Sequence, residues 1–376
     1  MGLIDERIYY TYNDVTIVPT VVSDIKHRSE CEPWNEEGML PLFTAPMDTV
    51  VSESNFNLFE ENHINAILPR TAPLDTRKYY SIKGKWAAYS LNEFSEVFCN
   101  EDDKLPTTHK LKALIDVANG HMKIIFDLAD KAKKIYGDDL LLMGGNIANP
   151  KTYEEYARHG FWGVRCSVGT GKGCLSTSNT GIHMPIASLI NDIAKLKKEI
   201  DDDYRSLPYI IADGGIRGYS DVIKALALGS DYVMIGSVFA KMVESAAPKI
   251  CEGFDRDNDY AIPFKIDFSF VHDVYKKDGT FYGSYKGKEI WLGDIEATFY
   301  GMASREGQIA MNGEKTKTSE GVKKLLKVEY TMEGWTRNFI DYLRSAMSYV
   351  GAKNLHQFRN SKLIINSQNA VNAVNK

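Results

Sequence analysis

The sequence predicts a closed (β/α)8 barrel, a TIM barrel, and three observations carry the prediction. Short β-rich segments alternate with longer amphipathic stretches, the pattern of a parallel sheet with crossover helices. There are eight such segments, which matches a closed barrel better than an open doubly wound sheet. Six of the eight strand ends are polar or glycine-rich, and barrel enzymes place their chemistry at that end.

In order, the strands are expected at Pro41–Ala45, Asn65–Leu68, Trp86–Ser90, Leu111–Val117, Leu140–Gly144, Gly163–Val168, Tyr209–Ala212 and Tyr232–Ile235. Amphipathic stretches between them include Met122–Tyr136, Thr152–Gly160, Ile186–Ile200 and Ser220–Leu228. Beyond the eighth unit, Cys251–Ala297 is rich in Asp, Lys, Tyr and Gly. Its Lys277-Asp278-Gly279 and Tyr285-Lys286-Gly287 steps read as hairpin turns, so this is a hairpin-like excursion and not a second domain. Residues 301–321 have the composition of a catalytic flap. A long helix over Trp335–Val350 and a polar tail from Asn366 follow. The whole of 1–376 is then one barrel domain, with no regulatory domain inserted.

Composition narrows the function. A formal net charge of −5 argues against a nucleic-acid polymer as partner, because phosphate-backbone binders carry a basic face. No apolar run approaches the ~20 residues needed to span a bilayer, and the first residues lack a secretory signal. Five cysteines form neither a CxxC pair nor an even framework. A reducing cytoplasm is the expected location.

The stretch from Arg165 to Thr177 concentrates the chemistry. An apolar strand empties into a loop holding Gly169, Gly171 and Gly173, with Cys174 at its tip. Glycines let a ligand approach the main chain, and a thiol becomes a nucleophile only as thiolate, favoured by nearby donors or a cation such as Lys172. Loops after the seventh and eighth strands of such barrels commonly hold a phosphate. Gly214-Gly215 and Gly236-Ser237 have that composition. Asp213 suits two ribose hydroxyls, or equally a helix cap. A nucleotide ligand follows, with covalent attack by Cys174 on a purine ring as one option. Ser176 would orient or deprotonate a water or amine, with Glu320 in the flap as its partner base.

The chain resembles the inosine monophosphate dehydrogenase and guanosine monophosphate reductase family over nearly its whole length. The resemblance rests on Tyr12-Asn13-Asp14-Val15-Thr16-Ile17-Val18-Pro19, Thr44-Ala45-Pro46-Met47-Asp48-Thr49-Val50, the cysteine loop, Ile211-Ala212-Asp213-Gly214-Gly215 and Val233-Met234-Ile235-Gly236-Ser237. Asp116-Val117-Ala118-Asn119-Gly120, Phe299-Tyr300-Gly301-Met302 and Thr180-Gly181 before Pro185 resemble the reductase branch. The dehydrogenase's Arg-Tyr flap pair has no counterpart, since Gly301–Glu320 holds one arginine, Arg305.

The resemblance implies NADPH-dependent reductive deamination of GMP to IMP and ammonia. Cys174, Ser176 and Glu320 would be catalytic. Asp213, Gly214, Gly215, Gly236, Ser237, Tyr300, Met302, Lys172, Lys317 and Gly321 would bind a purine nucleoside monophosphate, and Asp116 and Asn119 the nicotinamide cofactor. It further implies a homotetramer and a potassium ion on the carbonyls of Gly169, Gly171 and Cys174. The alternatives are an NAD-dependent oxidation of IMP to XMP, a related reaction on a modified purine nucleotide, and a non-catalytic nucleotide sensor. Several positions depart from the family pattern: Lys172 for serine, Ser176 for threonine, Ala303 for serine, Lys317 for arginine, and Leu68-Pro69-Arg70 for a glycine-rich strand end.

Overall fold

A computed structural model describes residues 5–170, 176–200, 207–255, 264–314, 318–319 and 321–365. Eight parallel strands form one sheet: β1 (Leu42–Thr44), β2 (Ile67–Leu68), β3 (Trp86–Tyr89), β4 (Leu111–Ile115), β5 (Leu140–Ile147), β6 (Gly163–Cys166), β7 (Tyr209–Asp213) and β8 (Tyr232–Ile235). Each pairs with its sequence neighbour from β2 to β8, and β1 pairs with β8. A parallel bridge between Phe43 and Asn65 brings β1 and β2 together and closes the barrel.

Helices follow the strands in turn: α1 (Phe56–Glu61), α2 (Leu74–Ile82), α3 (Leu91–Phe98), α4 (Lys123–Tyr136), α5 (Thr152–Arg158), α6 (Ile186–Ile200) and α7 (Tyr219–Ala227). The eighth barrel helix is α9 (Met332–Tyr349), whose Trp335 stacks on Tyr219 of α7 and lies edge-on to Phe239. It begins three residues before the expected start because Thr331 caps it, accepting from the Gly334 N–H. All eight expected strands are present. The sixth stops at Cys166, two residues early, and the fifth runs three further, to Ile147.

Strand alternation divides the core in two. Phe43, Ile67, Trp86, Leu114, Met143, Ile211, Tyr232 and Met234 fill the barrel interior, while the opposite faces pack beneath the helices. Phe43 meets Trp86, Trp162 and Tyr232 edge to face, so the interior is plugged by aromatic rings.

Between β8 and α9 the excursion is a six-stranded antiparallel sheet, larger than a hairpin. It comprises β9 (Lys249–Asp255), β10 (Phe264–Asp267), β11 (His272–Lys277), β12 (Thr280–Tyr285), β13 (Lys288–Phe299) and β14 (Lys324–Lys327), in the order β10-β9-β13-β12-β11 with β14 also on β13. Both expected hairpin turns occur. Asp278 and Gly279, like Lys286 and Gly287, take paired positive φ angles of 50–81°, the twist that matches a two-residue hairpin. Phe281, Ile290, Leu292, Ile295 and Ala297 give the sheet its own core. The 12-residue β13 runs back to the barrel and delivers Tyr300 to its mouth. The flap contains α8 (Arg305–Asn312), capped by Ser304 and ended by Gly313 at φ 76°.

At the start of α3, Ser90 and Glu93 form a reciprocal cap. Buried Arg77 adds donors to Glu93 at 2.5 and 3.1 Å. Burial raises the Glu93 pKa, but the Arg77 and Ser90 bonds outweigh it and hold the carboxyl near 2. A depressed carboxylate contributes stability above its unfolded value, ~4.3, and loses it as pH falls towards 2. Glu93→Gln should therefore cost roughly 2–3 kcal/mol at pH 7, read from urea midpoints. The gap to the parent should narrow below about pH 4.5. An equal gap at pH 7 and pH 3 would contradict this account.

Candidate functional site

The carboxyl ends of β4 to β7 are tied together by one side chain. Arg165, on β6, has outward-packed neighbours in Val164 and Cys166, so alternation turns its own side chain into the barrel. Gly145 on β5 makes the room, since a Cβ there would lie 2.7 Å from that of Arg165. The guanidinium donates through Nη1 to Asp116 Oδ1 at 2.6 Å. Its Nε and Nη2 reach Asp213 Oδ2 at 3.0 and 2.9 Å. Asn146 Nδ2 donates to the same Asp213 oxygen at 2.7 Å. Arg165 is 8% exposed. Burial alone would lower its pKa, but Asp213 and Asp116 raise it, so the cation is held between two carboxylates.

Two further contacts widen this network. Thr170 Oγ1, from the cysteine loop, donates to the Asp213 carbonyl at 3.3 Å. Arg70, where the sequence departs from the glycine-rich pattern, donates to the Asp116 carbonyl at 3.4 Å and lies 3.9 Å from Glu93. At the β4 mouth, Asn119 is exposed, and its side chain accepts the His121 N–H.

The adjoining arc of the mouth, from the end of β7 past β8 to β1, has the features of an anion corner. Gly214 and Gly215 have φ of 94° and 73°, a region denied to most side chains. Helix α7 starts just beyond with no side-chain cap on Gly218, which leaves backbone N–H groups for an anion. A Cβ on Gly236 would lie 3.2 Å from Met47 Sδ, so the β1 and β8 mouths pack closely here. Ser237 is half-buried beside it. Tyr300 Oη donates to Asp48 Oδ2 at 2.8 Å, pinning the end of β13 to the β1 mouth. Burial raises the Asp48 pKa, opposed by the Tyr300 bond, and burial likewise raises that of Tyr300. Asp48 Oδ1 and the neighbouring Thr49 Oγ1 are buried without a hydrogen-bond partner among the described residues. Such orphaned atoms in a cleft point to a polar ligand.

The flap is anchored at its base. A Cβ on Gly307 would lie 2.6 Å from the Met302 carbonyl, so α8 packs directly on the turn carrying Met302. Gln308 reaches the Thr318 carbonyl, and Ser319 bonds the Gly321 carbonyl. Gly321 is buried. Cys174, Gly171, Lys172, Lys317 and Glu320 lie outside the described residues. Of Ser176 only its backbone position is described, at the start of the helix Ser176–Thr180. Gly169 is at φ 74°, and its Val168 neighbour's carbonyl bonds His183 Nδ1 at 3.0 Å. Among the described residues, no group of three His, Cys, Asp or Glu side chains could hold a metal.

Sequence reasoning placed Asp213, Asp116 and the glycine pairs at the mouth. It took Arg165 only as the basic start of the loop and Asn146 only as part of a polar strand end. An arginine inside the otherwise apolar Gly163–Cys166 strand was the available signal, because alternation leaves it nowhere to go but inward.

A family model described as the IMP dehydrogenase / GMP reductase domain matches residues 107–258. The chain is 26% identical to a GMP reductase of Bacillus licheniformis over 95% of both chains. It is 25% identical to one of Bacillus subtilis, again over 95% of each. Identity to an inosine-5'-monophosphate dehydrogenase of Chlorobaculum parvum is 28% over 65% of this chain and 43% of that protein's length.

The Arg165 bridge makes a direct prediction. Arg165→Met leaves two carboxylates facing each other in a buried mouth and should cost about 3–5 kcal/mol. Arg165→Lys should recover only part of this, because an ammonium lacks the planar fork that serves both partners. Urea denaturation of both variants measures it, and a loss under 1 kcal/mol for the methionine variant would contradict the reading.

Proposed function

We propose that this chain, a divergent relative of the IMP dehydrogenase and GMP reductase family, is a purine nucleotide oxidoreductase that converts GMP to IMP and ammonia with NADPH. The observation that carries the reading is the mouth itself, with an Arg165-held Asp213 on one side and the Gly215, Gly236, Ser237 and Tyr300 corner on the other. The reductase is favoured over the dehydrogenase because relatives named GMP reductase match over 95% of both chains, whereas the dehydrogenase match spans 43% of that protein's length.

In this reading Asp213 receives the ribose hydroxyls. Arg165 and Asn146 both bind its Oδ2, and this fixes the direction in which the carboxylate can accept. The phosphate takes the α7 N-terminus and the N–H groups of Gly215, Gly236 and Ser237, with Tyr300 and Lys172 beside it, while Met302, Lys317, Gly214 and Gly321 complete the nucleotide site. Cys174 adds as thiolate to C2 of the guanine ring. Ser176 and Glu320 move a proton to the departing amino group, which leaves as ammonia. The thiol must leave as well as add, which an intermediate acidity favours.

The residues assigned to the cofactor fit its carboxamide: Asp116 is a carboxylate locked by Arg165, and Asn119 an exposed amide. When bound, the reduced nicotinamide supplies hydride to C2. A potassium ion on the carbonyls of Gly169, Gly171 and Cys174, a homotetramer and a cytoplasmic location complete the proposal, on the strength of the family resemblance.

The test is a panel of GMP, IMP and XMP with each nicotinamide, followed at the nicotinamide absorbance band. GMP-dependent oxidation of NADPH is expected, and turnover of IMP with NAD alone would overturn the reductase reading. Cys174→Ala should abolish turnover while leaving GMP affinity within a few-fold, and near-normal rates would end the covalent mechanism. Lys172→Ser should weaken GMP far more than guanosine, by roughly ten- to a hundredfold if a charge-assisted phosphate contact is lost. Unchanged affinity would remove Lys172 from the phosphate site.

A further inference from the structure

At the amino end of the barrel, opposite the mouth, a cavity of about 300 Å³ opens between α6, the starts of β7 and β8, and the segment 356–363. This is room for about ten waters at ~30 Å³ each. Its lining is unbalanced in charge. Among the described residues, Lys195, Lys197, Lys198 and Arg359 face one carboxylate, Asp231, four cations against one anion. Asp231 is itself fully used. It accepts from Lys197 Nζ at 3.0 Å and from the Ile210 N–H at 2.8 Å, and pairs with Arg359 at 3.4 Å. Although burial opposes it, Lys197 and Arg359 keep its pKa low, so it stays ionised and its charge is spent inside the protein.

What remains is a surplus of positive charge and donors. Lys198 has a neutral partner, Asn360 Oδ1 at 2.7 Å. Among the described residues, no carboxylate pairs with Lys195 or Lys198. Arg359 donates through Nη2 to the Asp231 carbonyl at 3.2 Å, and its side chain stays 24% exposed. The remaining wall, with Ala194, Ile210, Ala227, Leu228 and Leu363, is apolar. A bare inorganic ion would leave that wall exposed to water.

We propose that this cavity is a binding site, separate from the mouth, for a small organic phosphate: a phosphoryl group held by Lys198 and Arg359, carrying an apolar or aromatic body no larger than the cavity. Lys198 and Arg359 supply the charge-assisted donors. The apolar wall favours the organic ester over the free ion.

Phenyl phosphate is the probe, because it has the charge and an apolar ring but no purine or ribose for the mouth. Calorimetric titration uses the full chain carrying Ser237→Asp, which puts a carboxylate in the mouth's phosphate corner. Phenyl phosphate should bind once per chain and more tightly than inorganic phosphate. Adding Lys198→Glu, an exposed position with no ion pair to lose, should weaken it at least tenfold. If the Ser237→Asp chain fails to fold, the same titration on the otherwise unaltered chain should show one site fewer when Lys198→Glu is introduced. Absence of binding, loss of all binding on Ser237→Asp alone in a folded chain, or indifference to Lys198→Glu would each overturn the proposal.

Discussion

The mouth of this barrel depends on a single buried cation. Asp116 follows β4 and Asp213 ends β7, separated by β5 and β6 across the mouth, and without Arg165 between them two carboxylates would share one cleft. Desolvating an ion costs several kcal/mol, and only close, well-directed partners repay it. Here one guanidinium serves both carboxylates, Asn146 adds a third donor, and Gly145 clears the space. The result is a set of strand ends whose positions are fixed relative to each other before any ligand arrives, which is the preorganisation that binding and catalysis both need.

In the proposed reading the same set also orients the nucleotide. Arg165 and Asn146 both engage Oδ2 of Asp213, which leaves the carboxylate to accept from ribose hydroxyls. The phosphate would then take the β8 and β1 side of Asp213, where Gly214, Gly215 and the uncapped start of α7 offer backbone N–H groups. Tyr300 reaches that side only because β13 spans the excursion sheet and returns to the barrel, where Asp48 holds it. The excursion thus has a structural role at the mouth, beyond filling the gap between β8 and α9.

Much of this was legible in the sequence, and the exceptions have physical reasons. Eight strands could be counted because each is a short apolar run and six of them are closed by glycine or polar residues, and the two hairpins because Asp278-Gly279 and Lys286-Gly287 carry the left-handed turn chemistry. The full six-stranded sheet was not legible. Residues 288–299 turn Ile290, Leu292, Ile295 and Ala297 inward and Trp291, Asp294 and Glu296 outward, but a register shift between Cys251 and Gly253 and the distant β14 partner are set by packing, which local pattern does not encode. The Arg165 bridge was missed for a similar reason. Its two partners lie 49 and 48 residues away in sequence, and only closure of the barrel brings them together.

The most direct measurement of the central claim is a crystal structure of the chain with GMP bound. The account predicts the ribose hydroxyls on Asp213 with the Arg165 bridge intact, and the phosphate on Gly215, Gly236 and Ser237. GMP seated elsewhere, or bound only with the Arg165–Asp213 contact broken, would contradict it.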